Sequence, residues 1–560
     1  LAYYYDQFNG LLRYRADATF LGWTGGIGTP STGGGDACVA ALAGNPTPGW
    51  CIGGTGRGGN GAGWLLKPRA LAVANGSIWV ADHDNGRVSV FEQSSGAFLH
   101  VIGHHASPAA WAANGEPGSG DLLDYALTGP VATAVDATYL YVADYSSSRV
   151  VRFELATGES RGWVGTVRSS PTGGETGCAG LAPGSDTAGF CVGGAPDPGG
   201  SVHGAGPANA TGLFVDDTYL YVTDFQNNRM LRFQKLVGAY GGWIGAINAD
   251  HADATNGGAA GCAGAYGVFT PGWCFGGTPT HNYNEGSFAT PAATGIAGDE
   301  TYLYVASDDG RISRYVASTG HAAGWVGGVV DATGLADAAG GSNCTATQSD
   351  TATPGWCSGG IPGTGHGDGW LEGIAGLAYA AGYLYGADRD NARIVRFNAN
   401  TGAFAGWLGQ AYEPPTGGAP GCEFTASQTF TPGWCLGGSA EFPDRQPTFY
   451  GPIGVAVIDQ TLYVSDSFQT LSKYSLDGDL VTFVGWRGRI TDAPTGPTDA
   501  CRKATPGSVT PDYCTGGMPD PSVGHFAPSG SLDQPKLLSV DANYVYVADQ
   551  ANHRVMRFPR

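Results

Sequence analysis

Lysine and methionine are almost missing from this chain, with five lysines and three methionines in 560 residues, and charged residues make up only 14% of it. A surface with so little charge is mostly neutral and polar. What charge there is runs acidic: 48 Asp and Glu stand against 28 Lys and Arg, for a net of −20. Phosphate backbones and anionic lipid are both bound through clustered Lys and Arg, so nucleic acid is not an expected partner. No run of 18 apolar residues occurs, which leaves no helical membrane span. No basic segment followed by an apolar one opens the chain either, and Leu1 is expected to follow a removed leader. Helix-period stretches are missing too. No nucleophile elbow, phosphate loop or dinucleotide fingerprint is expected: the glycine-rich stretches do not stand between a strand and a helix and read as loop punctuation.

Cysteine is the opposite case. Twelve cysteines fall into six close pairs: Cys38 with Cys51, Cys178 with Cys191, Cys262 with Cys274, Cys344 with Cys357, Cys422 with Cys435, and Cys501 with Cys514; none is left over. Most second cysteines close a Pro-Gly-Trp-Cys stretch followed by Gly-Gly. Metal sites, redox motifs and haem attachment need C-x-x-C spacing, which is absent, so the pattern reads as a disulfide framework. Closing a loop of this size removes roughly 3 kcal/mol of unfolded-state entropy in the chain-entropy model. Only an oxidising compartment keeps such bonds, so the expected location is extracellular or on the cell surface.

The chain is also internally periodic. An apolar strand ending in an acidic turn, followed by Arg and a second apolar strand, occurs eight times: Tyr3 to Tyr14, Ile78 to Phe91, Tyr139 to Phe153, Tyr219 to Phe233, Tyr302 to Tyr315, Tyr383 to Phe397, Leu462 to Tyr474 and Tyr544 to Phe558. The aspartates Asp6, Asp82, Asp144, Asp224, Asp308, Asp388, Asp466 and Asp549 mark the turns at intervals of 62 to 84 residues. Apolar strands on both sides of a polar turn predict a β-hairpin. Seven copies are preceded by a small-residue strand such as Val131 to Asp136 or Gly212 to Asp216. A fourth strand ending in Gly-Trp follows at Trp23, Trp163, Trp243, Trp325, Trp407 and Trp486. Four antiparallel strands per period make one propeller blade. The strand Phe98 to Gly103 lacks Trp, and the loop after it, His104 to Pro130, lacks cysteine. Tryptophan and cysteine loop go together, which predicts that each loop folds back over the indole of its own blade.

This string resembles the NHL repeat, with its Ile-Tyr-Val-Ala-Asp-like strand and Arg-Val/Ile-x-x-Phe strand. Arg87, Arg149, Arg229, Arg311, Arg393 and Arg554 hold the arginine position, and the Asp466 copy has Leu471 nearby instead. The cysteine-bounded insertions depart from the family pattern. The resemblance implies an all-β propeller, used outside cells as a recognition platform, with some relatives acting as lyases or hydrolases. Seven blades are expected, with eight as the alternative. One propeller domain is read over residues 18–560, and residues 1–17 form a surplus hairpin. That hairpin carries Tyr3, Tyr4, Tyr5, Phe8, Leu11, Leu12 and Tyr14, an apolar edge that invites another chain. The expected function is an extracellular structural or interaction protein able to self-assemble into a surface filament. Its partners would be further copies of itself, or other extracellular proteins or glycans. A propeller enzyme and a monomeric ligand-binding receptor are the alternatives.

No residue is assigned a catalytic role, and no metal or cofactor is expected. Because Asp and Arg recur at nearly every turn, they read as a turn clamp, whereas an active site occurs once. The acidic turns Asp82-His83-Asp84-Asn85, Asp308-Asp309 and Asp388-Arg389-Asp390-Asn391 lack calcium-loop spacing and read as polar turns. His100, His104 and His105 near Asp121 and Asp124 form the best candidate for a unique site, in the blade without cysteine. Acceptor sequons stand at Asn75, Asn209 and Asn343, and the Thr-rich stretch Thr345 to Pro354 would suit O-linked sugars.

Overall fold

A computed structural model describes residues 3–6, 10–14, 20–33, 36–51, 55–103, 125–200, 206–248, 262, 269–275, 277–280, 291–299, 301–307, 309–440, 449–467, 470–506, 508, 510–511, 513–519, 535–540, 544–549 and 553–559. Among them helix is confined to Asp36–Ala40, Asp499–Lys503 and short 3-10 turns; the rest of the regular structure is strand. The chain forms two compact units. One comprises Leu1–Pro68, Phe91–Leu99 and Thr364–Arg560, and the other Arg69–Val90 and His100–Gly363.

The repeating unit is well represented by residues 130–165. Strands Pro130–Val135, Tyr139–Asp144, Arg149–Glu154 and Ser160–Gly165 pair in sequence order, all antiparallel. Asp136 sets the first turn: its carboxylate accepts from the backbone N–H of Thr138 and of Tyr139, both at 2.7 Å, and from the Tyr141 hydroxyl at 3.0 Å. Asp216 and Asp299 repeat this lock in their own sheets. Beyond Tyr139 the second strand is buried at every position. A strand covered on both faces has no polar face to alternate with, hence the continuous Tyr-Leu-Tyr-Val-Ala reading.

Consecutive sheets pack face to face within each unit. Tyr141, Val150 and Val164 of sheet 130–165 share a core with Leu220, Val222, Leu231 and Trp243 of sheet 210–247. In the other unit Tyr385, Ile394 and Leu408 meet Leu462, Val464 and Tyr474 in the same way. First strands lie side by side: Ile374–Ala380 neighbours Pro452–Ile458, which neighbours Pro535–Val540. Side-chain space there is small, since a Cβ on Gly376 would press on the Ile453 carbonyl.

Five meanders are described in every strand residue: 68–102, 130–165, 210–247, 374–409 and 452–487. Two further sheets, 291–331 and one shared by residues 3–25 and 535–559, are followed through their backbone pairing. The expectation of a seven- or eight-bladed ring is therefore corrected to a coarser statement. The chain is all-β and antiparallel, with five blades of the β-propeller kind described in all four strands. The physical reason lies in the shared sheet. It runs, by strand, Phe20–Gly25, Gly10–Tyr14, Tyr3–Asp6, His553–Pro559, Tyr544–Asp549, Pro535–Val540, so counting strands in fours does not divide it.

Candidate functional site

The cysteine loops are the feature that distinguishes these blades from plain four-stranded ones. The structure joins Cys38 to Cys51, Cys178 to Cys191, Cys262 to Cys274, Cys344 to Cys357, Cys422 to Cys435, and Cys501 to Cys514. These are the pairs that the spacing predicts. Their Cα–Cα separations run from 5.2 to 5.7 Å, and no cysteine is free. The second cysteine lands beside the blade tryptophan: Cys191 pairs through the backbone with Trp163, Cys274 with Trp243, Cys357 with Trp325, Cys435 with Trp407 and Cys514 with Trp486. Cys51, which closes the first loop, is likewise fully buried.

Around the 422–435 bridge Gly417–Gly418 pairs outside Cys435–Leu436, so the segment adds two strands to the sheet. Trp407 is fully buried, and its indole N–H donates to the Gly437 carbonyl at 3.0 Å. Trp163, Trp325 and Trp486 donate in the same way to Gly193, Gly359 and Gly516. These loops thus fold back over the indoles of their own blades, as the pairing of Trp with Cys predicts.

Local chemistry explains the recurring letters. Gly437 and Gly438 have φ of 68° and 69°, a left-handed pair that turns the Gly437 carbonyl toward the indole. Gly406, just before Trp407, has φ of 110°, and a Cβ there would sit 2.8 Å from the Trp434 backbone. The threonine of Thr-Pro-Gly-Trp caps the strand end: Thr431 Oγ1 accepts from Gly409 N–H at 3.2 Å.

The loops also reach the next sheet of their unit. Trp434 lies under the Arg396 guanidinium, 4.7 Å from its ring centre, while the other face of Arg396 covers Tyr383 at 4.6 Å. The Trp434 backbone N–H donates to the Asp479 carbonyl at 3.0 Å, in the last hairpin of sheet 452–487. Phe190 is stacked by Arg152 and donates to Val237; Trp273 is stacked by Arg232 and donates to Thr319. Sequence reasoning missed this second arginine. Its signal is an Arg three residues after the clamp arginine, as in Arg-Val-Val-Arg, together with an aromatic just before the second cysteine.

The clamp reading of the turns holds in detail. Asp82 with Arg87, Asp224 with Arg229 and Asp388 with Arg393 make ion pairs of 2.9, 2.7 and 2.8 Å between side chains that are 0% exposed. Asn85, Asn227 and Asn391 add a side-chain amide to the same carboxylate. Arg393 also donates to the carbonyls of His366, Gly367 and Trp370, tying the incoming loop to the turn. Burial pushes the Asp224 and Asp388 carboxyls up, against the pull of Arg229 and Arg393. In the Tyr302 copy the partner of Arg311 is Asp309, at 2.8 Å, and Asp308 lies outside the described residues. Without an arginine, Asp466 accepts from the backbone N–H of Tyr450 and Gly451.

Of the candidate histidine site, His104, His105, Asp121 and Asp124 lie outside the described residues. His100 is half-buried, and burial lowers its pKa to about 4 from the ordinary 6.5. A histidine that stays neutral in the fold but protonates when unfolded favours unfolding as pH falls below about 6.5. Thermal stability is expected to decline between pH 6.5 and 4, and His100→Gln to flatten that decline; an unchanged pH profile of melting would show that His100 contributes nothing to it. Among the described residues no group of three or more His, Cys, Asp or Glu is placed to hold a metal ion. The pentapeptide Gly158 to Gly162, GESRG, does have the spelling of a nucleophile elbow, which corrects the expectation that none is present. Its Ser160 opens an outer strand, Ser160–Gly165, with no helix following.

In the shared sheet Tyr3–Asp6 pairs antiparallel with His553–Pro559, in the register Tyr3↔Met556, Tyr4↔Val555, Tyr5↔Arg554 and Asp6↔His553. Gly10–Tyr14 keeps Phe20–Gly25 as its neighbour, with Leu12 opposite Trp23. The C-terminal strand does not take Phe20–Gly25 directly, as a seven-bladed closure would have it. The local hairpin connection prevails instead, because neighbours in sequence pair at the smallest loop-closure cost. Phe8 lies outside the described residues.

Comparison with known proteins bears on the repeat. No curated protein matches the chain. Solved structures that match along the chain include BamB from Moraxella catarrhalis, 9% identical over 99% of this chain and 94% of that one, with a TM-score of 0.38. Virginiamycin B lyase from Staphylococcus aureus is 9% identical over 88% and 94% of the two chains, also with a TM-score of 0.38. A computationally designed protein, Ika8, is 8% identical over 90% and 98%, with the same score. At that score the likeness assigns no activity to this chain. The sequence match is sharper: residues 65–91, which hold Asp82, Asn85 and Arg87, match the NHL repeat. The chain therefore carries an NHL repeat, and its Asp–Arg hairpin string recurs from sheet to sheet.

Proposed function

We propose that this chain is an extracellular structural or interaction protein, an NHL-type scaffold whose copies join by strand pairing at the shared sheet. One observation carries the reading. Tyr3–Asp6 fills the edge of His553–Pro559 through main-chain pairing over four residues, and a hairpin from another copy presents the same strand. Exchange of this kind is head to tail, so it propagates unless the rotation closes. The six disulfides support an oxidising location.

Every native cysteine is bridged, so a new pair of thiols at Tyr4 and Val555, opposite each other in the register, reports the pairing alone. Oxidised Tyr4→Cys/Val555→Cys protein is expected to run as a ladder of covalent multimers on non-reducing gels. A product that stays entirely monomeric would mean the hairpin serves only its own chain, and the assembly reading would fall. Deleting residues 1–17 should likewise remove any polymers seen by electron microscopy.

A further inference from the structure

Folding sets one of the three sequons apart from the other two. Asn75 stands at the exposed tip of the turn between Pro68–Ala74 and Ser77–Asp82, with φ of 51°. The space around that tip is open: a Cβ on Gly76 would meet nothing within 4 Å. Asn343 is also exposed, with φ of 64°, because its neighbour Cys344 is drawn inward to the bridge with Cys357. It occupies the N-cap of the 3-10 turn Cys344–Ala346 yet makes no side-chain cap bond, so its Oδ1 does not hold the side chain down against the turn. Asn209 shares the positive φ, at 60°, but differs in exposure and in the use of its amide. It is half-buried, and its Nδ2 donates to Gln226 Oε1 at 2.8 Å.

We propose that Asn75 and Asn343 carry N-linked glycans and that Asn209 does not. The donor is an oligosaccharide linked through phosphate or pyrophosphate to a polyprenyl lipid. The asparagine Nδ2 bonds to the anomeric carbon, the bond from that carbon to the phosphate oxygen breaks, and the polyprenyl (pyro)phosphate leaves with the electron pair. Nδ2 gives up one proton and remains an amide. Ser77 and Thr345 supply the hydroxyls two residues on, and neither Gly76 nor Cys344 blocks the sequon as proline would. On a surface with so few charges, two such sugars would add hydrophilic cover. The inference rests on the extracytoplasmic placement and not on assembly.

Glycopeptide mass spectrometry of the protein from its own source tests it. Peptides spanning Asn75 and Asn343 are expected to exceed their sequence mass by a sugar increment that fragmentation places on asparagine, and the Asn209 peptide to run at sequence mass. Asn343→Gln and Thr345→Ala should each abolish the increment at 343, with the Cys344–Cys357 bridge still present. Bare asparagine at both sites overturns the proposal, and a bridge found intact in the same peptides leaves the compartment standing. Loss with Thr345→Ala but retention with Asn343→Gln would place the sugar on threonine and overturn the assignment at 343. A glycan on Asn209 would overturn the structural sorting.

Discussion

Replacing Arg229 by methionine is expected to destabilise sheet 210–247 by about 3–5 kcal/mol, the usual effect of leaving one member of a buried ion pair alone. Asp224 has no exposure to water, and its carboxylate is held by Arg229, Asn227 and the Ala208 N–H. Methionine fills much of the arginine volume, so packing loss is a minor part of the effect. The double variant Asp224→Leu/Arg229→Met should recover most of the loss, since neither charge then needs compensation. The pH dependence has a definite sign. Burial already raises the folded-state pKa of Asp224, and removing the cation raises it further. A raised carboxyl stabilises the fold when protonated, and that contribution disappears as pH climbs through the folded value. The gap between wild type and Arg229→Met should therefore be wider at pH 8 than at pH 5, read from urea midpoints at each pH. An equal gap at both would mean that the lost arginine contacts, such as its bond to the Gly206 carbonyl at 3.1 Å, dominate instead.

The second large effect is expected from the loops. Opening one bridge with Cys422→Ala/Cys435→Ala should lower stability by about 3 kcal/mol from the loop-closure term. Its consequences spread beyond the loop, because the same segment caps Trp407 and carries Trp434 to the neighbouring hairpin at Asp479. A red shift of tryptophan emission and new protease cleavage between residues 422 and 435 are the expected signatures. A change below about 1 kcal/mol, with emission unchanged, would show that the indole hydrogen bond and the Thr431 cap hold the loop without the sulfur bridge.

What could be read in advance follows the range of the interactions. The Asp–Arg clamp joins residues five positions apart, as from Asp82 to Arg87, so a repeated string exposes it directly. The six bridges, from Cys38 with Cys51 to Cys501 with Cys514, were legible because each partner is the nearest cysteine along the chain. The tryptophan cover was legible for a different reason: sheet 68–102 lacks both Trp in its fourth strand and a cysteine loop after it, and a joint absence inside one chain is as informative as a joint presence. The stacking of Arg396 between Tyr383 and Trp434 was not legible, because its partners sit 13 and 38 positions away, on opposite sides of the arginine in sequence. The Asp136–Tyr141 lock escaped because strand-ending Asp reads as an ordinary turn residue, and only the fold brings the phenol back over it. Asn343 and Asn209 stand in the same Asn-x-Thr spelling, and only the fold exposes the first while giving the Nδ2 of the second to Gln226.

Strand content, blade hairpins and six short covalent loops were determined by the sequence itself, since each depends on residues close enough along the chain to encounter one another before anything else forms. Tertiary structure alone decided that Tyr3–Asp6 lies against His553–Pro559, and that loop aromatics such as Phe190, Trp273 and Trp434 land on the following sheet. A main-chain edge accepts any strand of suitable length, and a planar guanidinium accepts any ring that reaches it. The choice among such partners belongs to the packing of whole sheets, which no local string encodes.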